Sequence, residues 1–213
     1  MEKTAIETNW RTAFTLFDPA IRGGLIKGKK IEKLLEKWLS KLNFNDLKIP
    51  LTVVATDLVT GKEVDINNGD VSKAVRASLA VPPVFKPVPY KDRLLSDGGL
   101  ANPLPVNLVK GMGAEIVIAI NLESGKFQKD IDSSFIDENI SLVRISIRAL
   151  NVIRYHLAKN QAENADILIE PLTEETGLIG WNRFFDNHKT KNFIKAGETA
   201  AKKVLPQLLK LTQ

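Results

Sequence analysis

The residues best suited to chemistry in this chain are Asp97 and the two glycines that follow it, Gly98 and Gly99. Residues 96–100 read Ser-Asp-Gly-Gly-Leu and come directly after an apolar pair, behind a proline-rich segment. This order predicts an aspartate at the end of a strand, where the chain turns sharply. Glycine after the aspartate allows positive φ and close backbone approach, so the carboxylate could meet a substrate or a second catalytic group. Taken alone, however, Asp-Gly is better explained as a hairpin turn.

Most other catalytic groups are missing or lack a suitable context. The chain has no cysteine, which excludes thiol nucleophiles, disulfides and thiolate metal sites. It has two histidines: His156 is predicted to pack on an apolar helix face, and His188 to lie on the surface or at a helix cap. A Ser-His-Asp triad and a histidine metal cluster are therefore not favoured. None of the nine serines has the Gly-x-Ser-x-Gly surroundings of a nucleophile elbow.

Gly111-x-Gly113 resembles half of a dinucleotide-binding fingerprint. It stands after a helix and before a strand, which reverses the order that phosphate binding requires. We interpret it as the C-terminal cap of a helix.

The formal net charge of +5 raises the question of an anionic partner. Lysines alternate with apolar residues at helical spacing over residues 28–42, a pattern typical of a solvated helix face, with contact to a membrane or a phosphate as the alternative. Nucleic-acid binding is not favoured, because the sequence shows no concentrated basic patch with aromatic residues that could stack on bases. No apolar run approaches the roughly 18 residues that span a bilayer, and the first residues show no secretory pattern, so we predict a cytoplasmic protein.

The elements that must position Asp97 follow from periodicity and turn residues. Two continuous apolar runs, residues 50–57 and 115–121, predict buried strands of a parallel or mixed sheet, and a turn at 60–62 predicts a hairpin after the first. We expect further strands at 93–96 and 166–170 and helices at 28–42, 70–81, 105–112, 138–161 and 189–211. The segment 143–147 alone also fits a strand, and residues 122–137 are expected to form an exposed loop. The alternation predicts an α/β fold with a central, mostly parallel sheet between helices, as a single domain over 1–213.

Several blocks, in order along the chain, closely resemble the patatin-like phospholipase family. They are Ala55-Thr56-Asp57-Leu58, Thr60-Gly61-Lys62, Gly69-Asp70, the stretch from Ala74 to Pro82, Phe85-x-Pro87, Asp97-Gly98-Gly99, Asn102-x-Leu104-Pro105-Val106, the stretch from Gly111 to Ile120 and Ala165–Ile169. The resemblance implies a three-layer α/β fold and lipid acyl hydrolysis by a Ser-Asp dyad, with neither cofactor nor metal. Asp97 would be the base, supported by Gly98 and Gly99, and Ser78 would be structural. A free aspartate is a weak base near neutral pH, so this role requires partial desolvation.

The chain also departs from the family pattern. The first family-like feature of this chain is Arg22-Gly23-Gly24-Leu25. In the family, the Gly-rich oxyanion loop and the Gly-x-Ser-x-Gly elbow both come before this feature. We therefore expect the first strand, the oxyanion donors and the nucleophile to be absent from these residues, which leaves half of a dyad that is inactive alone. A non-catalytic binding or scaffold protein at lipid surfaces is the alternative. The expected partners are a lipid or other ester substrate, a peripheral membrane contact and a second copy paired through an exposed sheet edge.

Overall fold

The computed structural model describes residues 18–20, 24–127, 141–172 and 187–211. They divide into two compact units. The first, Phe14–Pro103, contains Asp97 and is called the aspartate unit; the described part of the second begins at Leu104 and is called the C-terminal unit. Both combine helices with strands, which confirms the α/β class. A single domain over 1–213 stays a prediction.

A four-stranded sheet forms the centre of the aspartate unit. Its strands are β1 (Val53–Asp57), β2 (Glu63–Ile66), β3 (Val88–Tyr90) and β4 (Arg93–Asp97), in the order β2-β1-β4-β3. Every pairing in this sheet is antiparallel. The prediction of a mostly parallel sheet is therefore wrong for this unit. Short turns join β1 to β2 and β3 to β4, and such connections permit only antiparallel pairing.

Two helices, α1 (Lys29–Trp38) and α2 (Val71–Ser78), accompany this sheet. The predicted N-cap is confirmed, because the Asp70 carboxylate accepts hydrogen bonds from the backbone N–H groups of Ser72 and Lys73. The buried face of α2 joins residues of the strands and Phe44 in one core, which consists of Phe44, Ala55, Val64, Ile66, Val71, Ala74, Ala77 and Leu95. Helix α2 thus covers β1 and explains why residues 54–57 are buried without a parallel sheet, whereas Pro50 and Leu51, ahead of the strand, are exposed.

Helix α1 is shorter than the periodicity predicts. It ends at Trp38, not at residue 42, because Ser40 and Lys41 adopt left-handed backbone conformations, with φ of 50° and 57°. At its start the Asp18 carboxylate accepts hydrogen bonds from the backbone N–H groups of Gly28 and Lys29, at 2.9 and 2.8 Å. An aspartate ten residues upstream therefore caps the helix, where its negative charge suits the helix dipole.

The turn between β1 and β2 is organised by Asp57, at the end of β1. One carboxylate oxygen accepts the Val59 N–H at 3.0 Å, and the other accepts the Thr60 hydroxyl at 2.8 Å. These bonds favour the ionised carboxylate. The Val59 N–H, followed by the Thr60 hydroxyl, therefore lowers the pKa of Asp57 below its ordinary value.

Stability should fall in acid in part through Asp57. Because its pKa is lower in the folded state, it contributes stability above the unfolded-state pKa of about 3.9, and this contribution is lost as the pH falls through the folded-state pKa. In urea unfolding measured from neutral pH down to this range, Asp57→Asn should weaken the pH dependence. The matched change Asp92→Asn, at an exposed position, should leave it intact. Equal slopes for parent and Asp57→Asn would contradict this role.

The C-terminal unit contains α3 (Val106–Gly111), β5 (Ile118–Ile120), α4 (Leu142–Ala162), β6 (Ile167–Ile169) and α5 (Asn187–Leu211). Strands β5 and β6 are parallel, with Ile118 opposite Ile167, and α4 lies between them in the chain as a crossover requires. The segment 143–147 belongs to α4, so the helical prediction is confirmed over its strand alternative. Gly113 follows α3 with φ of 93°, which confirms the C-terminal cap.

Strand β5 is buried on one face only. Val117 and Ala119 are 3% and 5% exposed and pack with residues of α4. The opposite face carries four branched apolar side chains that are 38–57% exposed: Ile116, Ile118, Ile120 and Leu122. The prediction of a buried strand at 115–121 is thus wrong for this face of β5 in the described structure, since a continuous apolar run does not reveal which face a neighbour covers.

Some predictions fall on residues outside the described ranges. These are Arg22 and Gly23 of the first family-like block, the loop residues 128–137 and the side chain of His188. Within the described residues, no helix has the length and apolar content needed to cross a membrane.

Candidate active site

Asp97 is the last residue of β4 and is 6% exposed. In the antiparallel pairing with β1, Asp97 lies opposite Ala55 and Ser96 opposite Thr56. The backbone is held on both sides: the Asp97 N–H donates to the Ala80 carbonyl at 3.2 Å, and the Thr56 hydroxyl donates to the Asp97 carbonyl at 2.8 Å. The expected carboxylate is thus at a strand end, where sequence analysis placed it, and is shielded from bulk water.

A hydrogen bond from the following turn orients the Asp97 side chain. Its Oδ1 accepts the Gly99 N–H at 2.9 Å, so the carboxylate caps the short 3₁₀ turn Gly98–Leu100. A buried carboxylate with a backbone donor is well ordered, since both the strand and the turn constrain it. Such order is what a general base needs, because proton transfer depends on fixed geometry.

Gly98 is required by close packing against the neighbouring strand. A Cβ built at this position would overlap the Val54 carbonyl oxygen and lie 2.7 Å from the carbonyl carbon. Its φ is outside the left-handed range, so the positive φ that the sequence suggested is not the reason for glycine here. The absent side chain lets the 3₁₀ turn lie directly on β1, which in turn fixes Asp97.

Two buried serines of the aspartate unit, Ser72 and Ser96, have structural hydrogen-bond partners. The Ser96 hydroxyl is fully buried and donates to the Ala80 carbonyl at 2.6 Å. The Ser72 hydroxyl donates to Asp70 at the start of α2, and Ser78 is the last residue of that helix. These roles agree with the absence of a nucleophile-elbow pattern.

The histidines also give no triad within the described side chains. His156 was expected to pack on a helix face, but it is exposed on α4, with its ring edge-on to Tyr155 at a centroid distance of 5.3 Å. The prediction for His156 is wrong because the apolar residues of α4 recur on both sides of His156 in the sequence, and their spacing does not show which face of the helix packs on the core. No group of three or more metal-binding side chains occurs among the residues that the structure describes.

Arg76 is a buried residue whose role the sequence analysis missed. It is 3% exposed on α2, where its guanidinium donates to three backbone carbonyls, those of Lys27 at 2.7 Å, Gly28 at 3.1 Å and Lys86 at 3.2 Å. Burial lowers its pKa, an effect that nearby acidic side chains oppose. An arginine among the buried apolar positions of α2 was the available signal. Through these hydrogen bonds Arg76 joins α2 to the segments that contain Lys27 and Lys86. Helix α2 leads into Ala80, whose carbonyl accepts the Asp97 N–H.

Asn102 joins the loop after Asp97 to strand β2. Its side-chain N–H donates to the Glu63 carboxylate at 2.8 Å. Burial raises the pKa of Glu63; the bond from Asn102 opposes this shift and Asp65 adds to it. This contact gives the family-like asparagine a structural role in the aspartate unit.

The C-terminal unit has a polar cavity of about 330 Å³ at the carboxyl ends of its parallel strands. Asn121 follows β5 and donates to Glu170, which follows β6, at 3.0 Å. Nearby, Arg154 of α4 forms an ion pair with the buried Glu123 at 2.9 Å. These contacts fasten the strand ends to each other and account for the buried polar groups around β5.

The geometry defines an α/β protein with a buried, backbone-anchored aspartate at a strand end. The patatin-like phospholipase family model matches residues 2–110, and the chain belongs to this family of lipolytic hydrolases. The match includes β1 to β4 and Asp97.

Individual relatives carry the names of the NTE family. NTE family proteins of Mycobacterium tuberculosis and Mycobacterium bovis are 38% identical over 117 residues, which cover 54% of this chain and 32% of theirs. Neuropathy target esterase sws of Drosophila melanogaster is 28% identical over 119 residues, which cover 55% of this chain and 8% of that protein. The matched part of this chain thus spans about a third of the length of its mycobacterial relatives.

Proposed function

We propose that this chain supplies the aspartate of a Ser-Asp dyad in a patatin-type lipid acyl hydrolase, with Asp97 as the general base. The observation that carries the proposal is the buried carboxylate at the end of β4, held by the Gly99 N–H inside the family match. In this role Asp97 accepts the proton of a serine hydroxyl as that oxygen attacks the carbonyl carbon of an ester. An acyl-serine forms, and the alcohol leaves with the proton. Water then releases the acid by the same route.

We further propose that the nucleophile comes from outside these 213 residues. Two observations support this. None of the nine serines has Gly-x-Ser-x-Gly surroundings, and the chain matches only 32% of the length of its mycobacterial relatives. The exposed apolar face of β5 is consistent with a further segment that would cover it. Without such a segment, this face favours association of two copies.

Fluorophosphonate labelling tests this division of the dyad. The chain would be purified alone and also co-expressed with a polypeptide that carries a Gly-rich loop and a Gly-x-Ser-x-Gly segment. We expect no label on the chain alone, and label with aryl-ester turnover when both parts are present, on the serine of the added part. A labelled serine within these 213 residues would overturn the external nucleophile. Absence of label from both samples would contradict the proposal that this chain supplies the aspartate of the Ser-Asp dyad.

A non-catalytic lipid-surface protein is the second candidate. It is favoured by the exposed lysines of α1 together with the missing elbow pattern. Binding to vesicles without any turnover in the co-expressed sample would favour it over the hydrolase.

A further inference from the structure

Positive charge is concentrated in one part of the aspartate unit. Residues 27–48 contain seven lysines and three acidic residues, a net charge of +4, whereas the whole chain carries +5. All seven lysines are exposed. A tenth of the chain thus accounts for most of its excess positive charge.

Exposed apolar side chains lie within the same segment. Helix α1 has no buried residue, and Trp38 at its end is 55% exposed. Leu42 is 36% exposed and Ile49, just after the segment, is 79% exposed. Isolated exposed apolar residues are normal on proteins; here a tryptophan and an isoleucine are exposed in or beside the segment that carries most of the excess positive charge.

Backbone contacts hold Lys41 and Leu42 beside the last turn of α1. The Lys41 N–H donates to the Glu36 carbonyl at 3.3 Å and the Leu42 N–H to the Leu39 carbonyl at 2.9 Å, so the chain folds back onto the last turn of α1. Leu39 and Leu47 both pack against the core that contains Phe44. We call the exposed lysines and apolar residues of the stretch 37–49 the Trp38 patch; it comprises Lys37, Trp38, Lys41, Leu42, Lys48 and Ile49.

We propose that the Trp38 patch docks the aspartate unit onto an anionic lipid surface, with Trp38 and Ile49 entering the headgroup region. The lysines complement anionic headgroups, each contributing about 1 kcal/mol near such a surface. Tryptophan favours the membrane interface, and branched apolar side chains enter its apolar side. Nucleic acid fits less well, because strand binding uses several stacking aromatics and Trp38 is the patch's one aromatic residue. The inference rests on the proposed function for its lipid partner and is tested by binding.

Vesicle binding tests the patch directly. The probes are phosphatidylcholine vesicles with and without phosphatidylserine, and the readout is co-sedimentation. The parent chain should bind the anionic vesicles, with affinity that falls as salt rises. Lys37→Gln with Lys41→Gln should weaken binding about tenfold or more, because two of the favourable charges are removed. The matched pair Lys62→Gln with Lys73→Gln removes the same charge from exposed positions outside the patch and should have a much smaller effect.

Tryptophan fluorescence tests the apolar contact. With Trp10 and Trp181 replaced by phenylalanine, Trp38 remains as the single tryptophan. Its emission should shift to shorter wavelength with anionic vesicles and become protected from acrylamide. Trp38→Ala with Ile49→Ala should weaken sedimentation, whereas Val59→Ala, at a 76% exposed position outside the patch, should not.

Three results would each overturn the inference. They are no binding of the parent chain to anionic vesicles, no shift of Trp38 emission on adding them, and an equal loss of binding in the patch variants and their matched controls. Failure of the hydrolase proposal is separable. Asp97→Asn should bind vesicles like the parent, and patch variants in the co-expressed sample should retain turnover of a water-soluble aryl ester. Urea unfolding confirms that each variant is folded.

Discussion

Asp97→Asn is expected to reduce ester hydrolysis by at least about a hundredfold, since general-base catalysis typically contributes 10²–10⁴-fold. Asparagine has nearly the same shape, and its Oδ1 can still accept the Gly99 N–H that holds the carboxylate at 2.9 Å. It cannot take the serine proton. The loss should therefore appear in kcat, while the structure of the strand end is retained.

The measurement is aryl-ester turnover and the rate of fluorophosphonate labelling in the co-expressed sample. The matched control Asp92→Asn removes one carboxylate at an exposed position five residues earlier and should retain parent activity. Circular dichroism and urea unfolding separate a catalytic effect from misfolding. Parent-like turnover by a folded Asp97→Asn variant would remove Asp97 from the mechanism.

Gly98→Ala is expected to destabilise the aspartate unit by about 3 kcal/mol, the upper part of the usual range for overpacking a buried site. The added methyl group would overlap the Val54 carbonyl oxygen of β1 and lie 2.7 Å from the Val54 carbonyl carbon. These are backbone atoms of a paired strand, so neither can move without disturbing the β1–β4 pairing. We expect the strain to displace the 3₁₀ turn, and with it Asp97, so that activity falls as well.

The free energy of unfolding in urea checks this prediction. Gly111→Ala serves as the matched control, because a Cβ built there meets nothing within 4 Å and alanine favours a helix. Gly111→Ala should be neutral or slightly stabilising. A stability within 1 kcal/mol of the parent for Gly98→Ala would show that β1 accommodates a methyl group, in conflict with the close packing described above.

The elements that local patterns specify were predictable from the sequence. The Asp70 cap, the turn at 60–62, the Gly113 cap and the aspartate at the end of β4 depend on residues close together in the chain, whose backbone preferences act locally. Pairing direction was not predictable in the same way. The part of the run at 50–57 that forms β1 is covered by α2 and the neighbouring strands, and a parallel sheet would produce the same apolar pattern.

The contacts that build the candidate site join distant parts of the chain. The Thr56 hydroxyl reaches the Asp97 carbonyl across 41 residues, and the Arg76 guanidinium reaches the Gly28 carbonyl across 48. No local preference records either partner. The need for glycine at residue 98 similarly depends on Val54, and the motif alone suggested a turn requirement instead.

By itself, the sequence determined the family, the local elements and the aspartate to be examined, because these follow from residue types at fixed short spacings. The tertiary structure decided that Asp97 is buried and hydrogen-bonded to backbone groups, and that one face of β5 is exposed. It also decided that Arg76 holds α2, the helix that leads to Ala80, the hydrogen-bond partner of Asp97. It also left Trp38, Leu42 and Ile49 exposed in a lysine-rich segment. Burial, packing and surface charge depend on which segments become neighbours in space, and only the folded chain sets those neighbours.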